Sequence, residues 1–275
     1  MADSISLSGA VRTNLLTLQR TQSLIDSTQT KLASGQRVNS ALDNAAAFFA
    51  AQSLTNRADD LSGLKDDIDQ GISSLDAAIA GIQGITDLVQ QAKGLAITAK
   101  ATSDTTERSS LSAQFDALLT QIDSLANDSS FAGTNLLKGT PDNLTVNFNE
   151  DGSSSLTING IDSTTAATGL NIAAAGNDFV SNTDIDTAIT AVNTAITTLR
   201  TSSSTLGSNS TVLQTRLNFT EDLVNTLTAG AGKLTLADLN EESANLLALQ
   251  TRQQLGINSL SLAAQSERSI LALFG

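Results

Sequence analysis

The chain contains no Cys and no His among its 275 residues. Without Cys there are no disulfides, thiolate metal sites or cysteine nucleophiles, and without His the commonest general base and transition-metal ligand are gone. A Ser-His-Asp triad is excluded, so Ser109-Ser110 and Ser202-Ser203-Ser204 read as helix-surface residues and no enzyme is expected. Trp and Tyr are also missing, Pro occurs once and Phe is limited to 8. An all-β sandwich ordinarily needs more aromatics and more Pro. Basic side chains are scarce as well: Lys+Arg 15 against Asp+Glu 28 gives a net charge of -13, the wrong sign for nucleic acid. What the chain does have is Leu, Ile, Val and Ala, residues that pack helix against helix.

No stretch reaches the roughly 18 consecutive apolar residues of a membrane span, so no membrane insertion is expected. The opening MADSISL has an acid at Asp3 and no basic start, unlike a secretory signal, so any export would use another route. Between Lys138 and Arg200 there is no basic residue, whereas Asp142, Glu150, Asp151, Asp162, Asp178, Asp184 and Asp186 all fall there. Asp142, Glu150, Asp151 and Asp162 follow no EF-hand pattern, and neither metal nor cofactor is expected. Two alternating runs, 144–148 and 156–158, flank a Gly-containing turn and predict a β-hairpin.

Helical periodicity dominates on either side. Leu7, Val11, Leu15, Leu18, Ile25 and Leu32 form one stripe, closed by Ser34-Gly35, and Ser40 with Asp43 forms an N-cap box for the next helix. That second helix carries Leu54, Leu61, Leu64, Ile68, Ile72, Leu75, Ile79, Ile82, Ile85 and Val89, and from 44 to 101 spans about 87 Å. A third follows Thr105-Thr106. A fourth runs from Ile185 to a break expected at Gly230-Ala231-Gly232. A last helix, starting near Thr235, carries Leu246, Leu249, Ile257, Leu260, Leu271 and Phe274 on one stripe.

The expected fold is mainly α. It is a long antiparallel helical hairpin or coiled-coil rod with paired terminal helices and a small central β-hairpin region. Two isolated terminal helices bury only the seam between them, so both ends are expected to fray or be disordered in the free chain. Neighbouring subunits would supply the missing apolar surface, and a head-to-tail contact that does not close makes an open helical polymer.

Three stretches carry a family resemblance. Residues 32–46, LASGQRVNSALDNAA, are similar to the pattern Leu-Ser-Ser-Gly-x-Arg-Ile-Asn-Ser-Ala-x-Asp-Asp-Ala-Ala of bacterial flagellin. Residues 131–139, FAGTNLLKG, resemble its Phe-Asn-Gly-x-x-Leu-Leu-x-Gly, and the last helix matches in Gln250, Gln254, Gly256, Leu260, Ala263, Ala264 and Gln265. The resemblance implies a structural subunit, exported unfolded through the flagellar type III apparatus with an export chaperone. It would self-assemble, alongside filament cap and junction proteins, into a hollow extracellular filament for swimming motility. It also implies a division into 1–40 and 233–275 as inner-tube helices, 41–139 and 185–232 as rod helices, and 140–184 as a short variable surface region. The turn residues Arg37 and Asn39 either cap helix ends or touch a neighbouring subunit.

The family's segment for a host immune receptor, Leu-Gln-Arg-Val-Arg-Glu-Leu-Ala-Val, appears here as residues 89–97, VQQAKGLAI. Gln91 and Gly94 replace an Arg and a Glu, Lys93 keeps a positive charge, and Gln114 stands where Glu is frequent. Lost charge-assisted hydrogen bonds predict weak receptor binding. Two other readings are a hook-filament junction protein of the same architecture and a helical signalling hairpin of the chemoreceptor kind. The second needs a membrane segment and an unbroken helical tip, which residues 144–158 do not offer.

Overall fold

The computed structural model describes residues 9–274, with side-chain surroundings for all of them except Ala10, Glu267, Ile270 and residues 271–274. Among the described residues, five α-helices, one small sheet and a short 3-10 turn follow in the order α1 (Gly9–Ser34), α2 (Ala41–Ala101), α3 (Thr105–Asp128), β1 (Leu144–Asn147), β2 (Ser155–Ile158), the 3-10 turn (Gly176–Phe179), α4 (Asn182–Thr235) and α5 (Leu239–Phe274). The fold is mainly α with a two-stranded antiparallel sheet, as the helical periodicity and the alternation at 144–148 and 156–158 predict. The chain divides into two compact units, one made of Met1–Arg57 with Thr226–Gly275 and the other of Ala58–Asn225.

The central unit has a continuous apolar core. Ile68, Leu75, Ile82, Ile85 and Val89 of α2 are buried with Phe115 and Ile122 of α3 and with Ile185, Val192, Leu199, Leu206 and Leu213 of α4. One 18-residue window of α2 has a mean hydropathy of 1.2, enough by length and composition for a membrane span. Its stripe is nevertheless the packing face of this core, the ordinary cause of such a signal. Glycines let neighbouring elements approach: a Cβ at Gly71 would sit 2.7 Å from Val146 of the hairpin, and one at Gly84 would sit 2.9 Å from Leu125.

The hairpin pairs Leu144 with Ile158 and Val146 with Leu156, turning Val146 and Ile158 into the core. The segment that follows is fastened to α3 by aspartates. Asp123 accepts from the Thr165 amide and hydroxyl at 2.7 and 3.0 Å, and Asp116 accepts from the Ala175 amide at 2.7 Å. Phe179 enters the core edge-on to Phe115, with ring centroids 5.4 Å apart.

Asn135 explains why residues 131–139 form a motif. Its buried amide donates to the Ala126 and Asn127 carbonyls at the end of α3, and its Oδ1 accepts from the Leu137 and Lys138 amides. One side chain thus satisfies carbonyls that a helix end leaves without partners. Ala132 adopts a left-handed φ of 47°, which suits the Asn of the resembling pattern better than Ala.

Two boundaries differ from expectation. The Gly230-Ala231-Gly232 break is absent, because α4 continues to Thr235; Gly tolerates a helix interior at a modest cost. The cap box at Ser40 and Asp43 forms, with Asp43 accepting from the Asn39 and Ser40 amides at 3.0 Å, and these bonds hold its carboxyl below the usual range. It closes only a short turn. Asn44 is extended, and its Oδ1 accepts from the Ala47 amide, so Asn44 is the cap of the long helix.

Candidate assembly site

Within the terminal unit, α1 and α5 lie antiparallel. Lys31 pairs with Glu242 at 3.4 Å, the Gln253 amide donates to Gln22 Oε1 at 2.6 Å, and Leu18 lies against Gly256. Those three contacts share one register.

The seam follows a seven-residue repeat. On α1, Val11, Leu18, Ile25 and Leu32 recur every seven residues with Asn14, Thr21 and Thr28 between them, the a and d pattern of a coiled coil. Val11 and Ile25 are buried, and Leu18 and Leu32 are half-buried. On α5 the half-buried row is Leu246, Leu249, Gln253, Gly256, Leu260 and Ala263. Gly256 holds the place beside Leu18, where a Cβ would come within 2.8 Å of the Leu18 Cδ1.

The seam differs from the expected stripe at two members. Leu15 and Ile257, each one residue from a seam position, are exposed at 37% and 45%. Leu7 lies outside the described residues, as do the side chains of Leu271 and Phe274. Where they are described, both terminal segments are helical, from Gly9 to Ser34 and from Leu239 to Phe274.

Beyond the seam, the terminal unit carries apolar side chains that nothing in the described chain covers. Leu247, Leu255 and Leu262, spaced 8 and 7, are exposed at 66%, 60% and 67% on the side of α5 opposite the seam. Leu16 and Leu24 are about half exposed on α1. The stripe expected on α5 does not include this outer row, and the seven-residue repeat of the seam is the sequence signal that separates the two. This row is the candidate assembly surface.

The turn between α1 and α2 spends its polar groups within the chain. The Arg37 amide donates to the Thr235 carbonyl at 2.6 Å, and its Nη2 to the Leu234 carbonyl at 3.2 Å, closing the C-terminus of α4. Gly35, at a φ of 69°, accepts from the Ala237 amide, and Asn39 donates to the Gln36 carbonyl at 3.4 Å.

In the central unit, Gln91 and Gly94 of α2 meet Gln114 of α3 around an open groove of about 540 Å³, floored by Leu95, Ala117 and Leu118. The structure therefore gathers three of the four residues singled out there. Lys93 instead faces a groove shared with α4. Among the described residues no cluster of three acidic side chains is placed to hold a metal ion.

Residues 5–142 match the bacterial flagellin N-terminal helical region, and residues 189–274 match the bacterial flagellin C-terminal helical region. Flagellin FljO of Caulobacter vibrioides is 35% identical over 279 residues, covering 99% of this chain and 98% of that protein. Flagellin FljM of the same organism is also 35% identical over the same coverage. A flagellin of Brucella melitensis is 31% identical, covering 98% and 99%.

Proposed function

The chain belongs to the bacterial flagellin family, and on that premise we propose that the terminal helices α1 and α5 supply the surface through which it polymerises. It is a structural subunit of the extracellular flagellar filament and assembles with copies of itself. Nothing in these matches favours the junction-protein or signalling-hairpin reading. The observation that carries the proposal is the outer row Leu247, Leu255 and Leu262, apolar and uncovered on a helix whose other face is already paired. Copies stacked in an open helical array would cover that row, so burial at the chain ends becomes complete only on assembly.

In this reading residues 1–40 and 233–275 are the inner helices, 41–139 and 185–232 the outer ones, and 140–184 the solvent-facing region. The polymer acts by burial and geometry, without catalysis. The chain reaches the growing end unfolded, through the flagellar export apparatus and with a chaperone, and is added beneath a cap. Arg37 and Asn39, whose bonds hold the turn in one shape, fix the direction in which α1 leaves it. Incubating the chain with short filament seeds tests the proposal: the full chain elongates them, and a chain lacking residues 236–275 does not. Equal elongation by the shortened chain would remove α5 from the contact.

The groove at Gln91, Gly94 and Gln114 bears on receptor recognition. Its two amides and one glycine offer no charge to a partner, so the charge-assisted bonds of the resembling segment are lost. The purified monomer should stimulate a receptor reporter cell weakly. Gln91→Arg, Gly94→Glu and Gln114→Glu together should raise the response at least about tenfold, the effect of about 1.4 kcal/mol of recovered contact. A full response from the unmodified monomer contradicts this.

A further inference from the structure

The central unit contains one pair of cations with no internal partner. Of its basic side chains, Lys65 pairs with Glu221, Lys100 with Asp186 and Lys138 with Asp142. Arg108 is buried and donates to the Thr102 and Val180 carbonyls and to Asn182, while Arg216 lies over the Phe148 ring at 4.9 Å. Lys93 and Arg200 remain. Among the described residues neither makes an ion pair or a side-chain hydrogen bond, and both line the same groove between α2 and α4.

That groove, of about 520 Å³, is lined by two cations and several neutral polar groups, with no acidic side chain in its lining. Gln90, Asn193 and Thr197 add amide and hydroxyl groups around the two cations, Gly94 leaves room for an entering side chain, and Ile97 and Ile196 give an apolar floor. In a unit that holds most of the chain's Asp and Glu, pairing either cation internally would have been easy. Two unpaired cations lining one groove are therefore the exception in this charge distribution, and a carboxylate is a group that a guanidinium and an ammonium both receive well.

We propose that the Lys93–Arg200 groove receives carboxylates from a second copy of this chain. The inference rests on the filament reading and names a contact within it. A second copy supplies the complementary charge in abundance: Asp59, Asp60, Asp66, Asp67 and Asp69 form an exposed acidic run on α2. Neighbouring acidic units repel one another, and a basic groove that accepts an acid from the next copy offsets that repulsion at one defined place, setting the register of the contact.

The test compares seeded elongation by the unmodified chain, by Lys93→Gln with Arg200→Gln, and by Lys93→Glu with Arg200→Glu. Unchanged circular dichroism of the monomers shows that the exposed groove has been altered without unfolding the helices. At about 0.05 M salt the Gln variant should elongate about tenfold more slowly and the Glu variant more slowly still. At about 0.5 M the three rates should converge to within about twofold, because exposed charges are screened. Equal rates at low salt overturn the inference, as does a defect that persists undiminished at high salt, which would indicate packing rather than charge. Saturable binding of inorganic phosphate by the unmodified monomer, absent in a Gln variant that elongates normally, would make the groove a small-anion site and also overturn it. If the unmodified chain elongates no seeds under any condition, the filament reading fails instead.

Discussion

Replacing Leu247, Leu255 and Leu262 together by Asp abolishes seeded elongation while leaving the monomer folded. All three side chains are at least 60% exposed, so their loss removes little from the pairing of α1 with α5. In the polymer each would bury about 1.5–3 kcal/mol of apolar side chain, and the new carboxylates would be stranded where the leucines were covered. Summed over three positions, the lost burial alone is roughly 5–9 kcal/mol, which raises the concentration needed for growth by at least about a thousandfold. Ile25→Asp is the informative contrast. It strikes the seam, where Ile25 is 4% exposed, and should loosen α1 and α5 in the monomer itself. Circular dichroism of the monomers and electron microscopy of seeded samples separate the two outcomes. Normal filaments from the triple variant would show that the outer row is not a contact.

The second large effect is on the central unit. Phe115 and Phe179 are both 0% exposed and meet edge-to-face, joining α3 to the segment that leads into α4. Phe115→Ala should cost about 3–5 kcal/mol, combining lost transfer energy with the cavity left among Ile and Leu side chains that cannot fully collapse. The melting midpoint should fall by roughly 10 °C for a unit of this size. Phe115→Leu, which keeps most of the volume, should cost less than half as much. Urea unfolding followed by circular dichroism measures both, and a loss below about 1 kcal/mol for the Ala variant would mean that the ring is not part of the core.

Much of this architecture was legible because apolar spacing is a direct record of which face is buried. The α2 stripe from Leu61 to Val89 predicted a helix and the core that helix builds, and the alternation at 144–148 and 156–158 predicted the hairpin. Less could be read where a single residue serves a distant partner. Asn135 gives no periodic signal, yet it closes α3 and orders the motif around it. Arg108 likewise lies on no apolar stripe, yet it is buried and donates to the Thr102 and Val180 carbonyls. Gly230 and Gly232 were misleading in the opposite direction, since a glycine permits a break without requiring one.

The assembly site was half legible for the same reason. The stripes expected on α1 and α5 mixed two surfaces, admitting the exposed Leu15 and Ile257 while passing over Leu247, Leu255 and Leu262. The a positions Val11, Leu18, Ile25 and Leu32 mark the face of α1 turned to α5, and Leu15 falls one residue off the d position Asn14 of that face. What lies off that face and is still apolar is the surface proposed to meet another copy.

Because the chain has no Cys, a single introduced thiol reports cleanly on that claim. The measurement is the labelling rate of Leu255→Cys by a small maleimide, in the monomer and in filaments grown from it, with Ile25→Cys as the buried reference. The account predicts that the thiol at 255 reacts in the monomer nearly as fast as a free thiol and at least about a hundredfold more slowly in the filament, the rate effect of about 2.8 kcal/mol of protection. Equal labelling of that thiol in monomer and filament would contradict it.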